Sequence, residues 1–281
     1  MSFVSNTLTT VVRRTMMGGV CSFLAMTSMN ALAFKTPDKL IAGSDITFYP
    51  YEYMDKGKPA GFDIEFIDGL AKTMGRTAVE VDTRWANLIP GLRGGRFDIL
   101  NSAMYITPDR LKVIDMIPYL KTGESILSIK GADYQPKVAE DFCGHKIGSQ
   151  AGTAWLKQMK DLSVNYCEAK GLKPISISEY PTDPQATQAM LSHAVEAQIT
   201  DAAVAQGVVK KLGSRVVISS EKLLYPVLNG IGVKKGNDDV REALTAGIKK
   251  FSQTPEYKAL FAKYNAQSPS AEDIKQLMPK Q

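Results

Sequence analysis

The stretch GFDIEFIDGLAKTMGRTAVEVD, residues 61–82, passes directly from a helix pattern into a strand pattern. Apolar side chains recur at helical spacing along its first half, at Ile64, Ile67, Leu70 and Met74. Gly75 suits the helix C-terminus, and the following segment AVEVD is typical of a strand. Another strand-like run, LIAGS at 40–44, comes just before. This strand–helix–strand order predicts an α/β layer with a mainly parallel sheet.

The same alternation continues along the chain. Residues 88–95 predict a short helix and residues 97–103 a third strand, and the pattern restarts after Gly131. Strand and helix patterns then follow in turn, at 145–150, 153–162, 174–180, 183–194 and 197–205, before two helices within 238–265. No linker rich in Gly, Ser or Pro separates the two halves, so we predict two α/β lobes that face a cleft.

The composition indicates a folded, exported protein. The chain has 281 residues, 44% of them apolar, and a formal net charge of +5. Its basic residues form no dense run, so nucleic-acid binding is not predicted. Residues 1–33 combine Arg13 and Arg14, an apolar run at 15–26 and Ala-Leu-Ala at 31–33, which together are typical of a cleaved secretory signal peptide. No later stretch approaches the length of a membrane span.

Two cysteines, Cys143 and Cys167, follow the predicted signal peptide. An isolated pair in an exported protein predicts a disulfide. A redox-active C-x-x-C motif is absent from the sequence, and of its two histidines only His145 lies near a cysteine. We therefore predict no metal site and no cofactor.

The segment NSAMYITPDR, residues 101–110, reads as a strand end that runs into a helix start. Thr107 can cap the helix, and Pro108 suits its first position. Helix formation does not account for Tyr105, nor for Arg110, a cation in a first turn where anions are preferred. Both are therefore candidate functional residues.

Four segments in this order resemble the family 3 extracellular solute-binding proteins, the polar-amino-acid-binding proteins of ABC importers. They are residues 48–75, 85–110 (with T-P-D-R), 148–155 (with the G-T turn) and 195–201. The resemblance implies a periplasmic, two-lobed type II fold in which each lobe is a mainly parallel sheet flanked by helices. Two crossover strands join the lobes and act as a hinge. The implied first lobe is discontinuous and comprises residues 34–122 and 228–281. The implied second lobe comprises residues 123–227.

The resemblance also implies a role for the charged residues. Arg110 matches the arginine that holds the ligand's α-carboxylate, and a guanidinium offers a planar fork for that group. Gly152 and Thr153 match the G-T turn, whose hydroxyl and N–H reach the same carboxylate. Asp201 matches the acid that receives the α-ammonium. A surface ion pair for Arg110 and a solvated loop position for Asp201 are the alternatives, whereas a helix cap at Thr153 is compatible with its ligand role.

Further pocket positions follow from the same match. Phe48, Trp85 and Tyr105 fall at aromatic positions of the first lobe, although core packing is the usual role of such side chains. Asp45 matches a position that receives a donor from the ligand's side chain. The remaining matched residues are Ser102, Ala103 and Gln150. Ala103 and Tyr105 replace small hydroxyl residues, and this aromatic resembles the ectoine-binding branch instead.

The implied function is periplasmic capture of a small zwitterion, a polar or basic amino acid or a derivative, for delivery to a membrane ABC permease. We expect a monomer without enzymatic activity. Alternatives are a binding protein for an ectoine-like solute or an opine, an enzyme that resembles cyclohexadienyl dehydratase on the same fold, and a partner of a membrane receptor.

Overall fold

The computed structural model describes residues 1–2 and 34–280. The predicted signal peptide, apart from its first two residues, lies outside the described residues. Within the described chain, no helix combines the length and apolar character needed to span a bilayer.

Nine of the eleven strands in the described residues form one mixed sheet, in the order β4-β1-β5-β11-β6-β9-β7-β8 with β10 paired to β6. The strands are β1 Lys39–Ser44, β2 Tyr53–Asp55, β3 Lys58–Ala60, β4 Thr77–Asp82, β5 Ile99–Leu100, β6 Ile114–Ile129, β7 Lys146–Gln150, β8 Ser176–Tyr180, β9 Ala197–Asp201, β10 Val216–Ile218 and β11 Leu224–Lys234. β2 and β3 form a separate hairpin.

The helices follow the strands much as the alternation predicts. They are α1 Phe62–Thr73, α2 Leu88–Arg93, α3 Pro108–Leu111, α4 Ala154–Leu162, α5 Asp183–Leu191, α6 Ala202–Leu212, α7 Asp238–Phe251, α8 Pro255–Tyr264 and α9 Ala271–Leu277. β1 pairs in parallel with β4 and β5, and β7 pairs in parallel with β8 and β9. The structure thus contains two groups of parallel strands, which confirms the predicted α/β class.

Two long antiparallel strands, β6 and β11, connect these groups. The first part of β6 pairs with β11, which in turn pairs with β5. From Glu124 onward β6 pairs with β9, and its end pairs with β10. The expected crossover strands are therefore present, but they join the two parallel groups into one continuous mixed sheet instead of two separate sheets. The lobe boundaries at 34–122 with 228–281 and 123–227 stay a prediction.

The third strand is shorter than predicted, because only residues 99–100 of 97–103 enter the sheet. Ala103 has a φ of 43°, and its N–H donates to the buried carboxylate of Asp63 in α1 at 2.7 Å instead of to a strand. The other Asp63 oxygen accepts from Tyr119 at 2.7 Å. Burial raises the pKa of Asp63 to about 6. Helix α1 therefore fixes the bend that leads to α3.

The main core packs α1 against the sheet and the C-terminal helices. Phe62 and Phe66 of α1 are buried and contact Tyr119 of β6 and Phe261 of α8. Such aromatic clusters contribute both buried area and edge-to-face attraction. The last helices of the chain thus complete the half of the sheet that carries β1.

The disulfide between Cys143 and Cys167 is formed, which confirms the prediction, and the two residues are 24 positions apart. Replacing both cysteines with serine should lower the free energy of unfolding by about 3 kcal/mol, because the unfolded chain regains the entropy of the open loop. Urea denaturation of the oxidised wild type and the double variant measures this difference. An unchanged midpoint with an unchanged slope would contradict it.

Candidate ligand-binding site

Arg110 lies in the first turn of α3 with its guanidinium buried. Thr107 caps this helix by accepting from the Arg110 N–H at 3.3 Å, and Pro108 follows at the first helical position, as predicted. The guanidinium donates to the Tyr105 carbonyl at 2.8 Å and to the Gly152 carbonyl at 3.3 Å.

Within residues 34–280, no carboxylate forms an ion pair with Arg110, although only 9% of the residue is exposed. Burial lowers its pKa to about 10, so the side chain remains a cation at neutral pH. A desolvated cation without a counter-ion is strongly suited to bind an anion. The alternative of a surface ion pair for Arg110 is therefore wrong.

The turn from β7 to α4 faces Arg110. Gly152 has a φ of 71°, a conformation that glycine adopts without strain. The Thr153 hydroxyl caps α4 by accepting from Leu156 N–H at 3.3 Å, and it donates to the Gln150 carbonyl at 2.8 Å. A cavity of about 530 Å³ lies here, and its lining includes Arg110, Gly152, Thr153 and Gln158. The positive end of α4 and the guanidinium of Arg110 thus border one cavity.

Asp201 ends β9, and its carboxylate is fully buried. It caps α6 by accepting from the N–H groups of Ala203 and Val204, at 2.8 and 3.4 Å. Three hydroxyls also lie within hydrogen-bond distance, those of Tyr51 at 3.0 Å, Tyr105 at 2.9 Å and Thr122 at 2.8 Å. Burial raises the pKa of Asp201, while these hydrogen bonds act in the opposite direction.

The solvated-loop alternative for Asp201 is therefore wrong, and hydroxyl donors already surround the predicted ammonium acceptor. Tyr51 and Thr122 are not among the residues predicted for the site, because a hydroxyl in the sequence carries no signal of its partner.

Tyr105 connects the two charged groups. Its carbonyl accepts from Arg110, and its hydroxyl lies 2.9 Å from Asp201 and 2.8 Å from the Gly123 carbonyl. The single hydroxyl proton is therefore shared between a carboxylate and a carbonyl. The predicted role of Tyr105 as an aromatic residue of the pocket does not include this hydroxyl.

The aromatic side chains of the site include one that sequence analysis missed. Trp155, in the first turn of α4, lies nearly parallel to Phe48, with ring centroids 6.4 Å apart and planes 8° apart. Its ring meets Tyr105 edge-on at 5.1 Å, and its indole N–H has no hydrogen-bond partner among the described residues. Trp85 lies 5.2 Å from the Arg110 guanidinium. Trp155 lies two residues after Thr153 of the G-T turn, and its helical spacing alone does not show that it faces the site.

Asp45 and Ser102 form hydrogen bonds that hold neighbouring segments of the site. The Asp45 carboxylate accepts from Trp85 N–H at 2.8 Å and from the Thr47 hydroxyl at 2.9 Å, and it pairs with Arg84 at 2.8 Å. Its oxygens therefore hold the Trp85 segment, and its contact with a ligand stays a prediction. The Ser102 hydroxyl accepts from the Asp45 N–H at 3.0 Å.

Ser102 and Gln150, two of the predicted residues, are buried beside the site. Ser102 also donates to Glu52 at 2.5 Å, which turns its hydroxyl toward the interior. Gln150, 4% exposed, ends β7 just before the G-T turn. Their contact with a ligand, like that of Ala103, stays a prediction.

The two charged residues and the G-T turn share one place in the fold. Arg110 follows β5, Gly152 follows β7 and Asp201 ends β9, so they come from the carboxyl ends of strands in both parallel groups, where such sheets bind ligands. Two groups of parallel strands joined by crossover strands, with a buried cation and a buried acid that follow the carboxyl ends of those strands, define a binding protein of the type II periplasmic class.

Comparison with known proteins identifies the family. Residues 40–267 match the bacterial extracellular solute-binding proteins, family 3, and the chain belongs to this family. The L-cystine-binding protein TcyJ of Escherichia coli K12 is 27% identical over 230 residues, which are 80% of this chain and 82% of that protein. The histidine-binding periplasmic protein of Salmonella typhimurium LT2 is 27% identical over 251 residues, 86% of this chain and 93% of that protein.

A solved structure shares the fold. An ancestral arginine-binding protein with bound glutamine superimposes with a TM-score of 0.73 at 30% identity, and the match covers 82% of this chain and 98% of that chain. The predicted family and the type II fold are thus confirmed.

Proposed function

We propose that this protein captures a polar or basic α-amino acid in the periplasm and delivers it, as a monomer, to a membrane ABC permease. The buried Arg110 guanidinium carries this proposal, because it has no acidic partner among the described residues and borders a cavity of about 530 Å³. The relatives support it, since their names specify cystine, histidine and arginine, which all carry an α-carboxylate and an α-ammonium.

The carboxylate end is the first part of the mechanism. The ligand's carboxylate replaces the Gly152 carbonyl at the Arg110 guanidinium and accepts a bidentate pair of hydrogen bonds. The N-terminus of α4, which begins after Thr153, supplies further N–H donors. Because these groups come from both parallel groups of strands, the ligand binds the closed arrangement better than an open one.

The ammonium end is the second part. Tyr105 can give its hydroxyl proton entirely to the Gly123 carbonyl, which leaves Asp201 Oδ2 with Thr122 as its one hydroxyl donor and frees a lone pair on that oxygen. The α-ammonium then donates to that oxygen. The buried pair formed in this way contributes strongly because water is excluded.

A thermal-shift screen of the twenty common amino acids, ectoine and an opine tests the proposed function. A ligand at one hundred times its Kd stabilises the folded state by about 2.7 kcal/mol and so raises Tm. We expect at least one amino acid to do so. The chain's two tryptophans, Trp85 and Trp155, both border the site, so the same ligand should change their fluorescence. A shift with ectoine or the opine alone, or with no compound, would contradict the proposal.

Two alternatives have direct tests. Aromatic product formed from prephenate or arogenate would reveal a dehydratase-like enzyme and contradict a purely binding role. Stimulation of uptake by the reconstituted permease separates a transport partner from a receptor partner.

A further inference from the structure

A second buried acid lies beside Asp201. Glu124 of β6 is directly opposite Asp201 of β9 in the antiparallel ladder, and both side chains are fully buried. Directly opposite residues project to the same face of a sheet, with Cβ atoms about 5 Å apart. Within residues 34–280, no lysine or arginine forms an ion pair with either acid. The two acids therefore form a buried carboxyl pair without a cationic partner among the described residues.

The two acids differ in their partners. Asp201 has five donor groups within hydrogen-bond distance. Glu124 has the side-chain amide of Gln158, whose nitrogen, when turned toward it, lies 3.1 and 2.5 Å from the two carboxylate oxygens. A carboxylate offers about four lone-pair sites, so Glu124 can accept further donors and Asp201 cannot without losing one.

Gln158, the amide partner of Glu124, lines the cavity that Arg110 borders, so one side chain separates Glu124 from that cavity. Two other charged residues line it, and each has a partner at the surface. Lys157 pairs with Asp161, and Asp109 pairs with Lys112. Among the charged residues that line the cavity, Arg110 is therefore the one without an ion-pair partner in the described part of the chain.

Burial raises the pKa of Glu124 well above its usual range, and the Asp201 charge adds to this effect. An acid in this state either holds a proton or takes a cationic partner. A ligand that brings one carboxylate and two cationic groups would supply partners for Arg110 and for both buried acids.

We propose that Glu124 receives a second cationic group of the ligand, which makes the ligand a basic amino acid. The inference rests on the proposed function: the carboxylate binds Arg110, the α-ammonium binds Asp201, and the side-chain cation takes the place of the Gln158 amide at Glu124. Glu124 is thus a specificity-determining residue.

Calorimetric titration with L-arginine and L-citrulline tests the inference, because citrulline replaces the guanidinium with a neutral group of nearly the same shape. The wild type should bind arginine at least about tenfold more tightly than citrulline. In Glu124→Gln, affinity for arginine should fall by about 30-fold or more, while affinity for citrulline changes by less than about threefold.

Glu80→Gln is the matched control. Glu80 is an acid on the edge strand β4 that accepts from the Ser44 hydroxyl at 2.8 Å, and burial raises its pKa to about 8. This variant should keep the wild-type preference for arginine.

Equal affinities of the wild type for arginine and citrulline would overturn the inference, whether or not Glu124→Gln folds. An unchanged preference in a folded Glu124→Gln would overturn it as well. If the wild type binds neutral amino acids equally well, this inference fails and the proposed function stands. If the wild type binds no amino acid at all, the proposed function itself has failed.

Discussion

Replacing Arg110 with methionine should abolish amino-acid binding without lowering the stability of the protein. Methionine fills a similar volume but leaves the ligand's carboxylate without a charged partner in a desolvated site. Loss of one member of such a pair costs about 2–5 kcal/mol, which is about 30-fold to several thousand-fold in affinity. Calorimetric titration with the amino acid found in the screen measures the loss.

The stability of the same variant separates a binding role from a structural one. Arg110 is a buried cation without an acidic partner among the described residues, so its removal relieves a desolvation cost. We expect the Tm of the unliganded variant to equal or exceed that of the wild type. A structural Arg110 would instead lower it.

Arg76→Met is the control for this experiment. Arg76 donates to the carbonyls of Thr36 and Lys39, at 2.9 and 3.0 Å, at the start of β1, whereas the site residues follow the carboxyl ends of strands. This variant should bind as the wild type does. Affinity of Arg110→Met within about threefold of the wild type would contradict the assigned role.

Replacing Asp201 with alanine should remove both binding and stability. The substitution takes the acceptor away from three buried hydroxyls and from the first N–H groups of α6. Unsatisfied buried donors cost about 1–3 kcal/mol each, and loss of a helix cap costs about 1 kcal/mol. We expect the free energy of unfolding to fall by about 3 kcal/mol or more, as measured by urea denaturation.

Asp201→Asn is the informative companion. Asparagine caps helices well and keeps the volume, so this variant should recover part of the lost stability. It lacks the charge that the ligand's ammonium requires, so binding should remain lost. An alanine variant with the free energy of unfolding and the ligand affinity of the wild type would contradict this account of Asp201.

Much of the fold could be predicted because alternating strand and helix patterns are local. The segment 61–82 forms α1 and β4 as its periodicity indicates. The two crossover strands followed from the family resemblance and not from the pattern. The sixteen residues of β6 pair with β11 at one end and with β9 at the other, so no single alternation describes them. The end of the third strand was predicted wrongly, because a side chain of α1, Asp63, captures the Ala103 N–H.

The candidate site was predictable where a residue conflicts with its local surroundings. Arg110 is such a residue, since a helix start disfavours a cation. Trp155 was not, because its spacing on α4 is the same whether it faces the core or the ligand. The contact between Tyr105 and Asp201 joins residues 96 positions apart. The pairing of Glu124 with Asp201 likewise depends on strand register, which the sequence does not show.

The central claim is that Arg110 holds the α-carboxylate of an amino acid. Titration of the wild type with L-arginine and L-argininamide, and with L-histidine and L-histidinamide, tests it most directly, because each amide lacks only the carboxylate charge. We predict that at least one free acid binds with a Kd of about 1 μM or tighter and that its amide binds about 100-fold more weakly. An amide that binds as tightly as its acid would contradict the claim.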